Sequence, residues 1–235
     1  DSFINYTQAD MFRREDAQRA DGDEAKVVKF GASSDFYNVK NYALKFRMTL
    51  EDELNRDPEY RMLTEENRTR FLMDKHMLDW ETRVASLALN TANVGSTVTV
   101  ASAWTDATNA VPVTNIMTVR QNLFLGTGYV PNRLLFGWRA WNNFIQNNQV
   151  RNSVMNPNVS GGGNFPMPEA VGRFFGVDRV IVAAAIRNTA DEAQAQTLSD
   201  IWADNVLVYY TPPAPSVEFP SWMYSFRWNA PGLPN

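Results

Sequence analysis

Residues Gly126 to Phe144 read GTGYVPNRLLFGWRAWNNF, and within this stretch the chain passes from turn to strand to helix. Gly126-Thr127-Gly128 supplies the turn. Arg133 to Trp138 is a short apolar run, the pattern of a buried strand. Ala140 to Asn148 follows at helical spacing, with Trp141, Phe144 and Ile145 as its apolar residues. A strand feeding directly into a helix points to a mixed α+β architecture rather than to separate helical and sheet domains.

Working outward, Ile116, Val119 and Leu123 form one face of a helix that ends at Gly126. Ser96 to Ala101 has strand propensity. On the other side, Ser160-Gly161-Gly162-Gly163-Asn164 is a flexible loop, and Pro168 to Phe175 predicts a short helix with proline in its first turn. Val180 to Ile186 and Val206 to Tyr210 are apolar strands. After Thr211, six prolines and scattered aromatics mark an extended tail. No internal repeat is evident.

The longest element lies further upstream. Met73, Met77, Trp80, Val84 and Leu87 recur at spacings of four and three, one apolar stripe of an α-helix that is expected to be plain core. Pro58 stops the preceding segment, Thr64 is placed to cap the helix, and Glu65 and Glu66 suit the positive end of its dipole. Neither proline nor glycine occurs from Thr64 to Val94, so one continuous helix over about 64–93 is expected. Before it, Lys26 to Phe30 and Phe36 to Met48 predict two strands joined by a turn at Gly31 to Asp35. Tyr42, Leu44, Phe46 and Met48 alternate with Ala43, Lys45 and Arg47. A lone hairpin is marginal in water, so residues 26–50 are expected to lie against another subunit. Residues 1–25 carry Arg13-Arg14-Glu15-Asp16 and no core pattern, which reads as an extended arm.

Charge is distributed unevenly. Residues 1–95 hold 14 Lys/Arg and 18 Asp/Glu, whereas residues 96–235 hold 8 of each, every base there being Arg. Interfaces are enriched in aromatics and Arg and depleted in Lys and Glu, so the second part is expected to be covered by neighbouring subunits; an ordinary core-rich domain is the plainer alternative. The net charge of −4 argues against a protein that coats nucleic acid through a basic groove. Cysteine is absent, which removes disulfides and thiolate chemistry. No apolar run reaches the roughly 20 residues needed to cross a bilayer. The chain shows no secretory signal and lacks an initiating Met, as expected of a processed or partly recorded protein.

Sites for chemistry are sparse. His76 is the single histidine and lies within the long helix, so a Ser-His-Asp triad or a two-His metal site finds little support. Gly126-Thr127-Gly128 and the 160–164 loop lack the Lys-Ser/Thr of a phosphate-binding loop. Glu51-Asp52-Glu53 reads as a solvated acidic face. Trp80, Trp104, Trp138, Trp141 and Trp202 sit in apolar patterns that explain them as packing. No catalytic, metal-binding or cofactor-binding residue is assigned, and the chain is not expected to be an enzyme.

The Gly126–Phe144 stretch resembles a recurring segment of tailed-phage major capsid proteins, through Gly128, Pro131, Asn132, Leu134 and Trp141. Three further stretches resemble the same family in the same order: Tyr37 to Leu44, Trp104 to Ile116 and Ile201 to Val206. The resemblance covers roughly residues 10 to 230. It implies the Hong Kong 97 phage capsid fold: an arm (1–25), an extended-loop hairpin and connection (26–62), a peripheral domain with a spine helix (63–112, helix 64–93), an axial domain (113–205), and a return with a tail (206–235). It further implies assembly of many copies through hexamers and pentamers into an icosahedral head that encloses double-stranded DNA, formed in the host cytoplasm and found in the virion. Scaffolding, portal and decoration proteins are further implied partners; no membrane is. The family usually carries more chain at both ends, which again implies a partial or trimmed chain. An encapsulin-like compartment shares the fold and would differ in its contents. A monomeric carbohydrate-active enzyme using the Trp-rich part is a third possibility, separable by gel filtration.

Overall fold

The computed structural model describes residues 2–6, 12–14, 24, 32–47, 49, 51, 58–154, 167–214 and 219–226, with backbone alone for 2–6, 32 and 58–65. Its centre is a three-stranded sheet. β3 (Arg133–Gly137) lies between β4 (Arg179–Ala183), to which it is parallel, and β7 (Val206–Tyr209), to which it is antiparallel. Both faces of this sheet are covered, so all three strands are continuous apolar runs rather than alternations. Leu134, Phe136, Val180, Val182, Val206 and Val208 face one core, with Val113, Ile116, Trp141, Phe144, Val150, Val171 and Phe175. Leu135, Ile181, Leu207 and Tyr209 face a second core, with Ala85, Ala88, Trp202 and Trp222.

The first core is closed by four helices: α2 (Pro112–Thr127), α3 (Trp138–Gln146), α4 (Asn148–Val154) and α5 (Pro168–Phe175). The expected strand–helix passage at 133–148 is present, one residue shorter at the strand and starting earlier at the helix. Gly137 sits at the junction because nothing larger fits: a Cβ there would collide with the backbone oxygen of Ala203, while its own N–H donates to Asn205 O at 2.9 Å. Gly128 caps α2 at φ 74°, a left-handed conformation that glycine adopts without strain. α5 has the bounds expected from its sequence.

α1 (Pro58–Ala88) is unbroken and about 46 Å long at 1.5 Å per residue. It begins six residues earlier than expected, because Pro58 opens the helix instead of stopping the segment before it; proline suits the first turn, where its missing N–H is no loss. Thr64 therefore lies inside the helix, which ends at Ala88 and is followed by a 3₁₀ turn, Thr91–Asn93, capped by the Asn90 side chain.

Several strand expectations need correction. Phe36 to Met48 is not a strand: pairing stops at Phe36, and residues 37–47 run without a ladder, lying instead against α1. The turn expected at Gly31 to Asp35 is largely β2 (Ala32–Phe36), which pairs antiparallel with β1 (Ser2–Tyr6), inside the segment read as an arm without strand spacing. Ser96 to Ala101 has the composition of a strand but no partner, and borders an open cavity instead. Lys26 to Phe30, Met48, the 160–164 loop and most of the arm and tail lie outside the described residues. The single strand expected over Val180 to Ile186 is divided: β4 ends at Ala183, and Ile186 opens β5 (Ile186–Asn188), which pairs with β6 (Leu198–Asp200) in a small ribbon that the sequence reading missed.

Candidate interaction surfaces

α1 has two apolar faces, and the core uses the less conspicuous one. Ala85 and Ala88 are buried against Leu135, Trp202 and Tyr209. Their small side chains let the helix approach the sheet closely. Glu81, on the same side, accepts a hydrogen bond from the Trp202 indole at 2.9 Å. The bulky stripe anticipated as core points outward: Met77 is 67% exposed and Trp80 54%, with Met73 and Leu87 also exposed; only Val84 is partly buried. Trp80 is therefore a surface residue, contrary to its expected packing role. His76 is half-buried on this helix.

Beside this stripe lies the extended segment 37–47. The Arg83 guanidinium stands 3.5 Å from the centre of the Tyr42 ring and is ion-paired to Asp79 at 3.0 Å. Arg68 lies 4.5 Å from the Phe46 ring. Tyr37 stacks on Phe226 with centroids 4.2 Å apart. Despite these contacts, Tyr42, Leu44 and Phe46 remain exposed.

A third surface surrounds the β5–β6 ribbon. Ile186, Leu198 and Trp138 are exposed there, Trp138 at 48%. Arg139, next to Trp138, reaches Asp200 at 3.0 Å and Asp204 at 3.4 Å. These ion pairs are open to solvent and orient the ribbon more than they stabilise the fold. Trp138 thus departs from the packing role expected of it, whereas Trp141 is buried at 7% exposure. From the arm, Phe12 lies over Gly128 and edge-on to Tyr129, at 5.9 Å.

Polar groups in the body serve structure. The fully buried Asn147 donates to Ala110 O at 3.1 Å and Asp106 O at 3.4 Å, and accepts from the Gln149 N–H. The Asp106 carboxylate accepts the backbone N–H of Asn109, the Asn109 amide and the N–H of Thr108, which hold its pKa below the ordinary value. Burial depresses the pKa of Arg120, which donates to the carbonyl of Phe175 at the C-terminal end of α5. Among the described residues, no group of three or more His, Asp or Glu is placed to hold a metal ion, and no helix is long and apolar enough to cross a membrane. A cavity of about 820 Å³ opens between α2, β7 and residues 88–105; Val98, Ile116, Leu123 and Trp104 line it, and Asp204 is its single charged group.

Bulky apolar side chains left open on α1, on 37–47 and around β5–β6 define a class: a subunit that buries surface against other protein chains. The chain belongs to the family described as phage major capsid protein E, whose profile matches residues 90–217, just over half of the 235 residues. Among solved structures, a phage-related protein from Bordetella bronchiseptica RB50 superposes with a TM-score of 0.51, at 20% identity, over 65% of this chain and 49% of that one. The chain spans about half the length of that relative, and the likeness is one of fold. No curated protein matches the sequence. The family agrees with the resemblance read from Gly126 to Phe144.

Proposed function

We propose that this chain is the shell-forming subunit of a phage head, with the Hong Kong 97 organisation of arm (1–25), extended loop (26–62), peripheral domain (63–112) with α1 as spine helix, axial domain (113–205) and return (206–235). Copies assemble through hexamers and pentamers into an icosahedral container around double-stranded DNA, in the host cytoplasm. Other copies of the chain are its main partners; scaffolding, portal and decoration proteins are further ones. The role is structural, not catalytic.

The observation that carries this reading is the outward stripe on α1. A helix that directs Ala85 and Ala88 inward and Met73, Met77, Trp80 and Leu87 outward leaves its larger apolar surface for another chain. The low charge of residues 96–235 supports the same conclusion. Electron microscopy of the purified protein tests it. Wild type should form closed shells, and Met77→Glu with Trp80→Glu should leave a folded subunit that forms few or none. A wild type that elutes only as a compact monomer would refute the reading, and shells emptied of nucleic acid but loaded with an enzyme would place it among encapsulin-like compartments.

A further inference from the structure

Residues 37–47 are held in an unusual way. Extended chain is normally secured by a backbone ladder or by burying alternate side chains. This segment has neither: it carries no strand pairing, and Leu44 and Phe46 are 51% and 48% exposed. Among the described side chains, it meets α1 through two guanidinium groups over two rings, Arg83 on Tyr42 and Arg68 on Phe46, about four helical turns apart along the same side of the helix. The Tyr37–Phe226 stack fixes its start.

Each contact has a feature suited to a reversible hold. Arg83 is already committed to Asp79 and stays charged and satisfied if Tyr42 leaves. Arg68 has one buried guanidinium nitrogen, Nη1, without a hydrogen-bond partner, so the stowed form holds it by the Phe46 ring with no hydrogen bond at that nitrogen to lose on release. Departure of the segment therefore strands neither arginine, while it frees three apolar side chains and an unpaired extended backbone. Such a backbone is what strand addition to another chain requires.

We propose that Arg68 and Arg83 form a latch that stows residues 37–47 on the subunit's own α1, and that this stowing raises the concentration subunits need in order to associate. The inference rests on the shell-forming role for the partner, but not for the latch itself, which is a property of the single chain. Arginine over an aromatic ring is a weak attraction. Two of them set a bias between stowed and released forms that a neighbouring chain can overcome.

The test uses the full chain with Arg68→Gln and Arg83→Gln, singly and together, and with Tyr42→Leu plus Phe46→Leu as a second route. The leucines keep apolar bulk for a partner but give the arginines no ring to cover. Timed trypsin digestion reads the latch, because Lys40, Lys45 and Arg47 lie in the strap. Static light scattering reads association. Cleavage at Lys40 and Lys45 should rise about two- to five-fold in each single variant and about ten-fold in the double, as expected for contacts of this strength. The protein concentration at which half the subunits associate should fall, and Arg83→Lys, which keeps a cation, should restore much of the wild-type behaviour. Unchanged strap cleavage in both the double-Gln and double-Leu variants would overturn the latch. Faster cleavage with a raised association threshold would overturn its restraining role. A wild type that never associates would refute the shell-forming role, and cleavage alone would then decide whether the latch exists.

Discussion

Replacing Trp141 and Trp138 by alanine should separate the two halves of a capsid subunit's stability, because within one turn of α3 the structure buries the first and leaves the second open to solvent. Trp141 is 7% exposed and packs against Phe136 at 5.3 Å, edge to face, and Phe144 at 5.9 Å. A Trp buried to this extent hides roughly 200 Å². At ~25 cal/mol per Å², removing it loses about 5 kcal/mol, the upper end of the about 3–5 kcal/mol seen for such truncations. Trp138 is 48% exposed, and water replaces it without leaving a cavity, so its loss is worth at most about 2 kcal/mol to the subunit. Urea titration followed by far-UV circular dichroism would show this directly. With a slope near ~2 kcal/mol per M, the Trp141→Ala midpoint should drop by about 2 M or the domain should fail to fold, while Trp138→Ala should shift by less than half as much. Its effect should fall on particle yield instead, since it is an exposed aromatic adjoining Arg139, which reaches the β5–β6 ribbon at Asp200. A Trp138→Ala midpoint shifted as far as that of Trp141→Ala would refute this division between core and contact surface.

Other outcomes follow from single contacts. Gly137→Ala should give an unstable subunit, losing at least about 1–3 kcal/mol to overpacking against the Ala203 backbone; thermal melting of the purified variant measures it. Asn147→Ala should cost about 1–3 kcal/mol, because the carbonyl of Ala110 loses the Asn147 donor, that of Asp106 keeps only the Ala110 N–H, and the Gln149 N–H loses the Asn147 side-chain acceptor; faster proteolysis within 103–110 would locate the damage. The Asp106 carboxyl has a folded pKa below its ordinary 3.8, so the stabilisation it supplies is present above 3.8 and lost as pH falls through the lower folded value. Asp106→Asn should therefore be less stable than wild type near neutrality and approach it in acid, and a stability gap independent of pH would count against this.

The central fold was legible because its signals are local. Arg133 to Gly137, Pro168 to Phe175 and Val206 to Tyr209 are apolar runs bounded by turn residues, and they form where composition places them. What escaped depends on partners distant in sequence. Ser96 to Ala101 has strand chemistry but nothing to pair with, whereas Ser2 to Tyr6 looks featureless until Ala32 to Phe36 lies beside it. The α1 helix shows the same limit in its side chains. Periodicity located the helix and found the Met–Trp stripe, but spacing cannot say whether an apolar stripe meets the chain's own sheet or another molecule. The two alanines that do meet the sheet lie on the flank of that stripe, about a quarter-turn round the helix, and their small side chains gave no signal of their own. The candidate interface was thus visible as a pattern and misassigned in direction.

The order of β4, β3 and β7 has a consequence for biosynthesis. The central strand at 133–137 acquires its last neighbour only when Val206–Tyr209 has been made, and Asn132 then clasps Thr211 through its side chain in both directions. At the roughly 5–20 residues per second of translation, β3 waits about 4–14 s on the ribosome for this edge. During that interval β3 is open on one side and Leu135 lacks the Tyr209 that later shields it. An open strand edge beside an unshielded leucine invites pairing with other chains, so the interval before Val206–Tyr209 is made is the one in which a nascent molecule most needs protection from its neighbours on a crowded polysome.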